Sequence, residues 1–181
     1  MPSSGERIES PPTGRHLRVR RTFAFLDLCG FTEFDDLHGD EAALATLRHL
    51  RSTVREVAPR YGVRVDKWLG DGAMIVGVES EPLVRAVIAM FVDLADRQTL
   101  PPRAGIAAGD VILLEGDDYV GRVVNLANRL CDEAQAGQIL AAEHALDGTD
   151  LNTDGPPVTV RVKGFHQPIQ AVSVVWRPTG A

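Results

Sequence analysis

The chain has 181 residues, 44% of them hydrophobic, and a formal net charge of −6; that length suits one domain that buries roughly two-thirds of its unfolded surface without staples. The acidic balance argues against a dedicated nucleic-acid surface, which needs a basic excess to neutralise phosphates. The longest apolar stretch, Leu83 to Ala95, is interrupted by Arg85 and Asp93 and falls short of the ~20 residues of a membrane-spanning helix. No membrane partner is expected.

Residues 1–16 are rich in Ser, Pro, Gly and charge and lack an apolar core, so a disordered tail is expected rather than a signal peptide or anchor. The folded domain is expected over 17–177, with a short tail at 178–181. The apolar run from Arg21 to Asp27 predicts a buried strand ending on a carboxylate. It is followed by a turn through Gly30. Leu44, Leu47, Leu50, Val54, Val57 and Tyr61 recur at helical spacing and predict a helix from Asp40 to Tyr61. Val63 and Val65 alternate with polar residues before Gly70-Asp71-Gly72, and Ala73 to Val78 is apolar, which predicts a hairpin with Asp71 at its tip. Pro82 suits the first turn of a helix running to Arg97.

Two strands are then expected, Arg103 to Ala108 and Val111 to Leu114, punctuated by Gly109-Asp110. The order strand, helix, strand, strand, helix, strand is that of an α+β, ferredoxin-like (βαββαβ) domain with two helices on one face. Beyond it come a helix from Gly121 to Ala134, a strand from Gln138 to Ala141 and a short helix near Glu143. A loop from Asp147 to Pro157 and strands Val158 to Lys163 and Ile169 to Trp176 complete the chain.

Only two of the 19 basic residues are lysines, Lys67 and Lys163, and Lys67 stands four residues before Asp71. Asp27 and Asp71 end strands that are adjacent in the expected sheet, where they can share divalent cations about 3.5–4 Å apart. Magnesium takes oxygen ligands and carries phosphate oxygens in its shell. Asn125 and Arg129 are four apart on one helix, which puts their side chains on one face at about 5–6 Å between Cβ atoms. An amide one turn from a guanidinium suits a phosphoryl group that gains charge during reaction. Cys29 and Cys131 match no zinc or disulfide spacing, and free thiols point to a reducing cytosol.

Three segments, Phe25-Leu26-Asp27-Leu28-Cys29-Gly30-Phe31-Thr32, Lys67-Trp68-Leu69-Gly70-Asp71-Gly72 and Asp118 through Leu130, together resemble the catalytic domain of class III adenylyl and guanylyl cyclases. The resemblance spans Arg20 to Trp176. It implies that Asp27 and Asp71, with Leu28 beside them, hold two divalent cations, Mg²⁺ or Mn²⁺. Gly30, Phe31 and Thr32 would cradle the β- and γ-phosphates, with Lys163 reaching the polyphosphate. Lys67 and Asp118 would read the base, and Asn125 and Arg129 would orient the ribose and stabilise the transition state.

A lysine donor beside an aspartate acceptor matches the N1 acceptor and exocyclic amine of adenine, whereas guanine presents the reverse. Guanylyl cyclases of the family typically carry Glu and Cys there. ATP is therefore the expected substrate. Lys67 and Asp71 are roughly 13 Å apart along a strand, and the family resolves that separation with a head-to-tail homodimer holding two shared sites. Two rivals stand beside this reading. One is a catalytically silent nucleotide-binding or interaction module on the same fold. The other is a polymerase-like or diguanylate-forming transferase, whose Gly-Gly-acidic-Glu-Phe turn is absent from the chain.

Overall fold

The computed structural model describes residues 17–97, 100–114 and 118–176. The tails expected at 1–16 and 178–181 lie outside those residues, as does Asp117. The elements are β1 (Leu17–Leu28), α1 (Phe31–His38), α2 (Asp40–Val57), β2 (Arg64–Leu69), β3 (Gly72–Gly77), α3 (Ser80–Arg97), β4 (Pro102–Leu113), β5 (Tyr119–Val120), α4 (Arg122–Glu133), β6 (Ile139–Ala142), β7 (Thr153–Val160) and β8 (Ile169–Val174).

One sheet runs β2-β3-β1-β4-β6-β8-β7, with β5 paired to β4. The first four strands and the helices between them are the expected βαββαβ unit, and all their pairings are antiparallel. The sheet then continues past β4 through a parallel pairing to β6. Strand β1 is central, so both its faces must be covered, and alternate residues sort into two cores. Ala24, Leu26 and Leu28 pack with Leu50 and Val54 of α2 and Leu83, Val87 and Phe91 of α3. Phe23 and Phe25 pack on the other side with Val123, Leu126 and Leu130 of α4.

Helix α4 lies very close to β4. A Cβ at Gly105 would stand 2.0 Å from the Cys131 nitrogen and 2.2 Å from the Ala127 carbonyl oxygen, so only glycine lets the helix backbone rest on the strand there.

The structure departs from the sequence expectation at several places. Strand β1 starts at Leu17 rather than Arg21, and β4 is one strand, because Gly109 and Asp110 stay in the ladder opposite Arg21 and Arg20. The helix expected to reach Tyr61 is α-helical only to Val57. It then tightens into a 3-10 turn over Ala58–Tyr61, since Pro59 has no N–H to donate and crowds the preceding turn. Strand β7 begins inside the expected loop and stops at Val160; Pro156 and Pro157 are tolerated because β7 is an edge strand with a bulge between Asp154 and Val158. Helix α1, which buries no residue, and the two-residue β5 were not expected. No helix among the described residues is long and apolar enough to cross a membrane.

The Gly105 contact yields a direct prediction. Gly105→Ala should cost about 3 kcal/mol in urea unfolding, because the clash is with backbone that cannot repack. An unchanged midpoint would show that α4 does not seat as described.

Candidate active site

The chemistry gathers on the α4 side of the sheet. Asp27 follows Phe23 and Phe25 in the alternation of β1 and shares their face, where it lines a hollow of about 190 Å³ with Leu69, Asn128, Cys131 and Asp132. Its partner across the β1–β3 ladder is Gly72. A Cβ on Gly72 would meet the Leu26 carbonyl at 2.7 Å and Asp27 Oδ1 at 3.1 Å, so glycine leaves that carboxylate oxygen its space.

Asp71 stands beside Gly72 in the turn joining β2 to β3, where Gly70 takes the left-handed conformation, φ +63°. Burial, and then the negative charge of Asp27, push the Asp71 carboxyl above the usual aspartate range, against the opposing pull of a backbone hydrogen bond and Arg103. A carboxylate made harder to ionise by a neighbouring negative charge marks a place where a cation is favoured. The Arg103 guanidinium donates to Asp27 Oδ2 at 2.7 and 3.1 Å and to the Asp132 carbonyl at 3.2 Å.

Downstream of Asp27, Gly30 adopts φ +75° and opens α1. The first N–H groups of a helix have no intrahelical acceptor and carry its positive dipole end. Phe31 and Thr32 therefore carry backbone N–H groups without an intrahelical acceptor, in the turn that follows β1.

Lys67 and Asp118 are 51 positions apart and meet in a hydrogen-bonded ion pair. The Asp118 carboxylate, chiefly through that hydrogen bond, holds the Lys67 ammonium above the ordinary lysine value. The loop before α4 thus delivers an acceptor next to the only lysine on β2.

A third group lies along α4. Asn125, Asn128 and Arg129 line a hollow of about 260 Å³ with Arg122, Lys163, Gly164 and Phe165. Lys163 comes from the loop after β7 and lines the same hollow as Asn125 and Arg129. Arg122 covers the Phe165 ring at 5.1 Å and holds that loop against α4. Arg129 pairs with Asp132 at 3.0 Å. Asn128 borders both this hollow and the one at Asp27. Larger hollows, about 430 Å³ between α2 and α3 and about 570 Å³ beside Trp176, include none of Asp27, Asp71, Asn125 or Arg129.

The structure groups part of the expected set: Asp71 lies within the electrostatic reach of Asp27, Lys67 pairs with Asp118, and Asn125, Arg129 and Lys163 line one hollow. The Leu28 side chain, by contrast, is buried in the α2–α3 core and Phe31 packs against that core, on the other side of the sheet. Arg103, Asn128 and Asp132 had not been singled out. Arg103 was accessible in principle, because antiparallel pairing of β1 with β4 puts it opposite Asp27. Asp132 carries no pattern beyond its spacing from Arg129. The cysteines are free, as expected; burial pushes the Cys131 thiol up to about 12 and, against Arg103, raises Cys29.

No protein-family model matches the chain. An uncharacterized protein of Mycobacterium tuberculosis is 37% identical over 155 residues, covering 81% of this chain and 39% of its own length. The pH-sensitive adenylate cyclase of the same organism is 32% identical over 144 residues, covering 78% of this chain and 35% of that protein. The chain thus spans between a third and two-fifths of these relatives. Among solved structures, the adenylyl cyclase CyaB from P. aeruginosa matches with a TM-score of 0.75 at 29% identity, over 89% of this chain and 96% of that one. The guanylyl cyclase Cya2 shares the fold with a TM-score of 0.80 at 24% identity, over 88% and 93%. With this sheet order, these three polar groups and these relatives, the chain belongs to the class III adenylyl/guanylyl cyclase catalytic-domain family.

Proposed function

We propose that the chain is an adenylyl cyclase domain that converts ATP to 3′,5′-cyclic AMP and pyrophosphate, in the cytoplasm, at two sites shared across a homodimer. The observation that carries the choice of ATP is the Lys67–Asp118 pair. It sets a donor beside an acceptor, the complement of the adenine edge. Similar proteins bear both the adenylyl and the guanylyl name, so the base choice rests on these two side chains.

In the reaction, the ribose 3′-oxygen forms a bond to the α-phosphorus while the bond to the β-phosphate oxygen breaks. Pyrophosphate leaves in line, and the hydroxyl proton passes to solvent. Asn125 orients the ribose, and Arg129 meets charge developing on the α-phosphate; a donor of that kind is commonly worth on the order of 10²–10³ in turnover. Backbone N–H groups at Gly30, Phe31 and Thr32 take the β- and γ-phosphates, and Lys163 takes the outer charge.

Among the described residues no group of three or more His, Cys, Asp or Glu is arranged to hold a metal. The protein side proposed for a cation shell is the pair of carboxylates, Asp27 and Asp71, with the Leu28 backbone, as the family resemblance implies. That all-oxygen set fits Mg²⁺ or Mn²⁺ with phosphate oxygens completing the shell. When bound, the two cations lower the pKa of the 3′-hydroxyl and neutralise the leaving phosphates. Arg103 pairs with Asp27 at 2.7 Å and balances its charge.

Dimer sharing is tested by complementation. Asp27→Ala and Arg129→Ala should each be inactive alone, and their mixture should recover activity, since one of the two heterodimer sites keeps every group. No recovery between subunits shown to exchange contradicts the shared site.

The cation pair is tested by stability. Burial and the charge of Asp27 raise the Asp71 carboxyl above the ordinary aspartate value in the folded chain, so the ionised carboxylate destabilises the fold. That penalty is fully present above the folded pKa and disappears below the unfolded one. Asp71→Asn should therefore raise Tm at pH 7, with the gain fading as the pH falls through the raised pKa to the ordinary aspartate value. Adding Mn²⁺ should raise the wild-type Tm and leave the variant nearly unmoved. Equal responses to Mn²⁺ contradict the assignment of Asp71.

A further inference from the structure

We propose that Arg64 is a specificity-positioning residue: tied to Asp66 and Tyr119, it fixes the spacing of Lys67 and Asp118 and so sets how strictly the site separates adenine from guanine. The inference rests on the base-reading role proposed for that pair.

The first observation is a register shift. Residues three apart on a regular strand point to opposite faces. Yet Arg64 pairs with Val76 and Lys67 with Met74, and both partners belong to the α4-side core. A bulge at Asp66 makes this possible by adding one residue to β2 between Val65 and Lys67. Val65 and Trp68 consequently both pack on the opposite side, against the α2–α3 core. Arg51 and Arg55 of α2 lie over the Trp68 ring at 5.3 and 5.4 Å and hold it there. Removing the bulge would send either Trp68 or Val65 to the wrong core, so Lys67 is committed to the active face.

The second observation is what Arg64 does on that face. Its Nη2 lies 3.1 Å from Asp66 Oδ1, and the Asp66 side chain is only 4% exposed. The same nitrogen donates to the Tyr119 hydroxyl at 3.1 Å, and the guanidinium lies 5.7 Å from the centre of the Tyr119 ring. Tyr119 in turn meets the fully buried Phe23 edge-on at 5.3 Å. Tyr119 directly follows Asp118, whose carbonyl accepts from the Leu114 N–H at 2.8 Å.

The base-reading pair itself is half exposed, 51% and 54%, and an exposed ion pair holds its own geometry weakly. Strand β5 adds only two ladder pairs to β4. The Arg64–Tyr119 tie is therefore the link from the strand bearing Lys67 to the segment bearing Asp118 that is anchored on a buried carboxylate and a buried ring. A loosened pair can turn to accept the reversed donor and acceptor of guanine. A fixed pair leaves guanine with unpaired polar groups, the arrangement that gives the largest discrimination.

The test is the ratio of kcat/KM for ATP to kcat/KM for GTP in the full chain. Tyr119→Phe keeps the ring and removes the acceptor; it should lower the ratio roughly tenfold, with Arg64→Met lowering it further and Arg64→Lys restoring part of it. Loss of stability alone would reduce both nucleotides alike and leave the ratio unmoved. Lys67→Ala separates this inference from the reading beneath it. If Lys67→Ala collapses the ratio while Tyr119→Phe and Arg64→Met leave it at the wild-type value, the positioning role is overturned and base reading stands. If Lys67→Ala also leaves it unchanged, both fall. Should Arg64→Met fail to fold, Tyr119→Phe decides alone.

Discussion

The constraint on which the rest depends is the period-two alternation of β1 at the centre of the sheet. Both its faces are buried, so no residue can change sides without moving a phenylalanine or a leucine into the wrong core. Phe23 and Phe25 set the α4 side, and Asp27 inherits it. From that position follow the neighbours of Asp27: Gly72 across one ladder and Arg103 across the other. Lys67 reaches the same side only because β2 carries an extra residue at Asp66. The polar face is thus assembled by strand geometry, and α4 is laid on it as closely as Gly105 permits.

That face carries an electrostatic cost. Asp71 is harder to ionise than a free aspartate because it is partly buried and faces Asp27. Arg103 offsets the charge of Asp27, and Asp132 engages both Arg103 and Arg129. The groups proposed to act on phosphate therefore rest on one another. A chain of contacts Asp27–Arg103–Asp132–Arg129 also joins, within a single subunit, residues that the shared-site reading assigns to two different sites. Stability given up at such a place is the usual cost of a preorganised site.

Much of this was legible in the residues. The apolar run ending on Asp27, the helical spacing from Leu44 to Val57 and the Gly70-Asp71-Gly72 turn each carry a strong local signal, and each is found where expected. Legibility fails where the deciding force is not local. Helix α1 buries nothing, so it leaves no apolar stripe to read. Gly109-Asp110 has the composition of a break, yet pairing with Arg20 and Arg21 keeps β4 continuous. The links of Arg64 to Tyr119 and of Lys67 to Asp118 join positions 55 and 51 apart. A family resemblance pointed to the second of these and nothing in the sequence pointed to the first. The Asp66 bulge was equally hidden, since alternation in the sequence does not say where it is interrupted.

The central claim is the reaction, and its most direct measurement is product analysis. The purified chain at high concentration is incubated with Mn²⁺ and ATP or GTP, and cyclic nucleotide and pyrophosphate are resolved by chromatography. The account predicts cyclic AMP and pyrophosphate in equal amounts from ATP, little product from GTP, and none from Asp27→Ala. Absence of any cyclic product from the folded, dimeric chain would contradict it and leave a nucleotide-binding module on the cyclase fold.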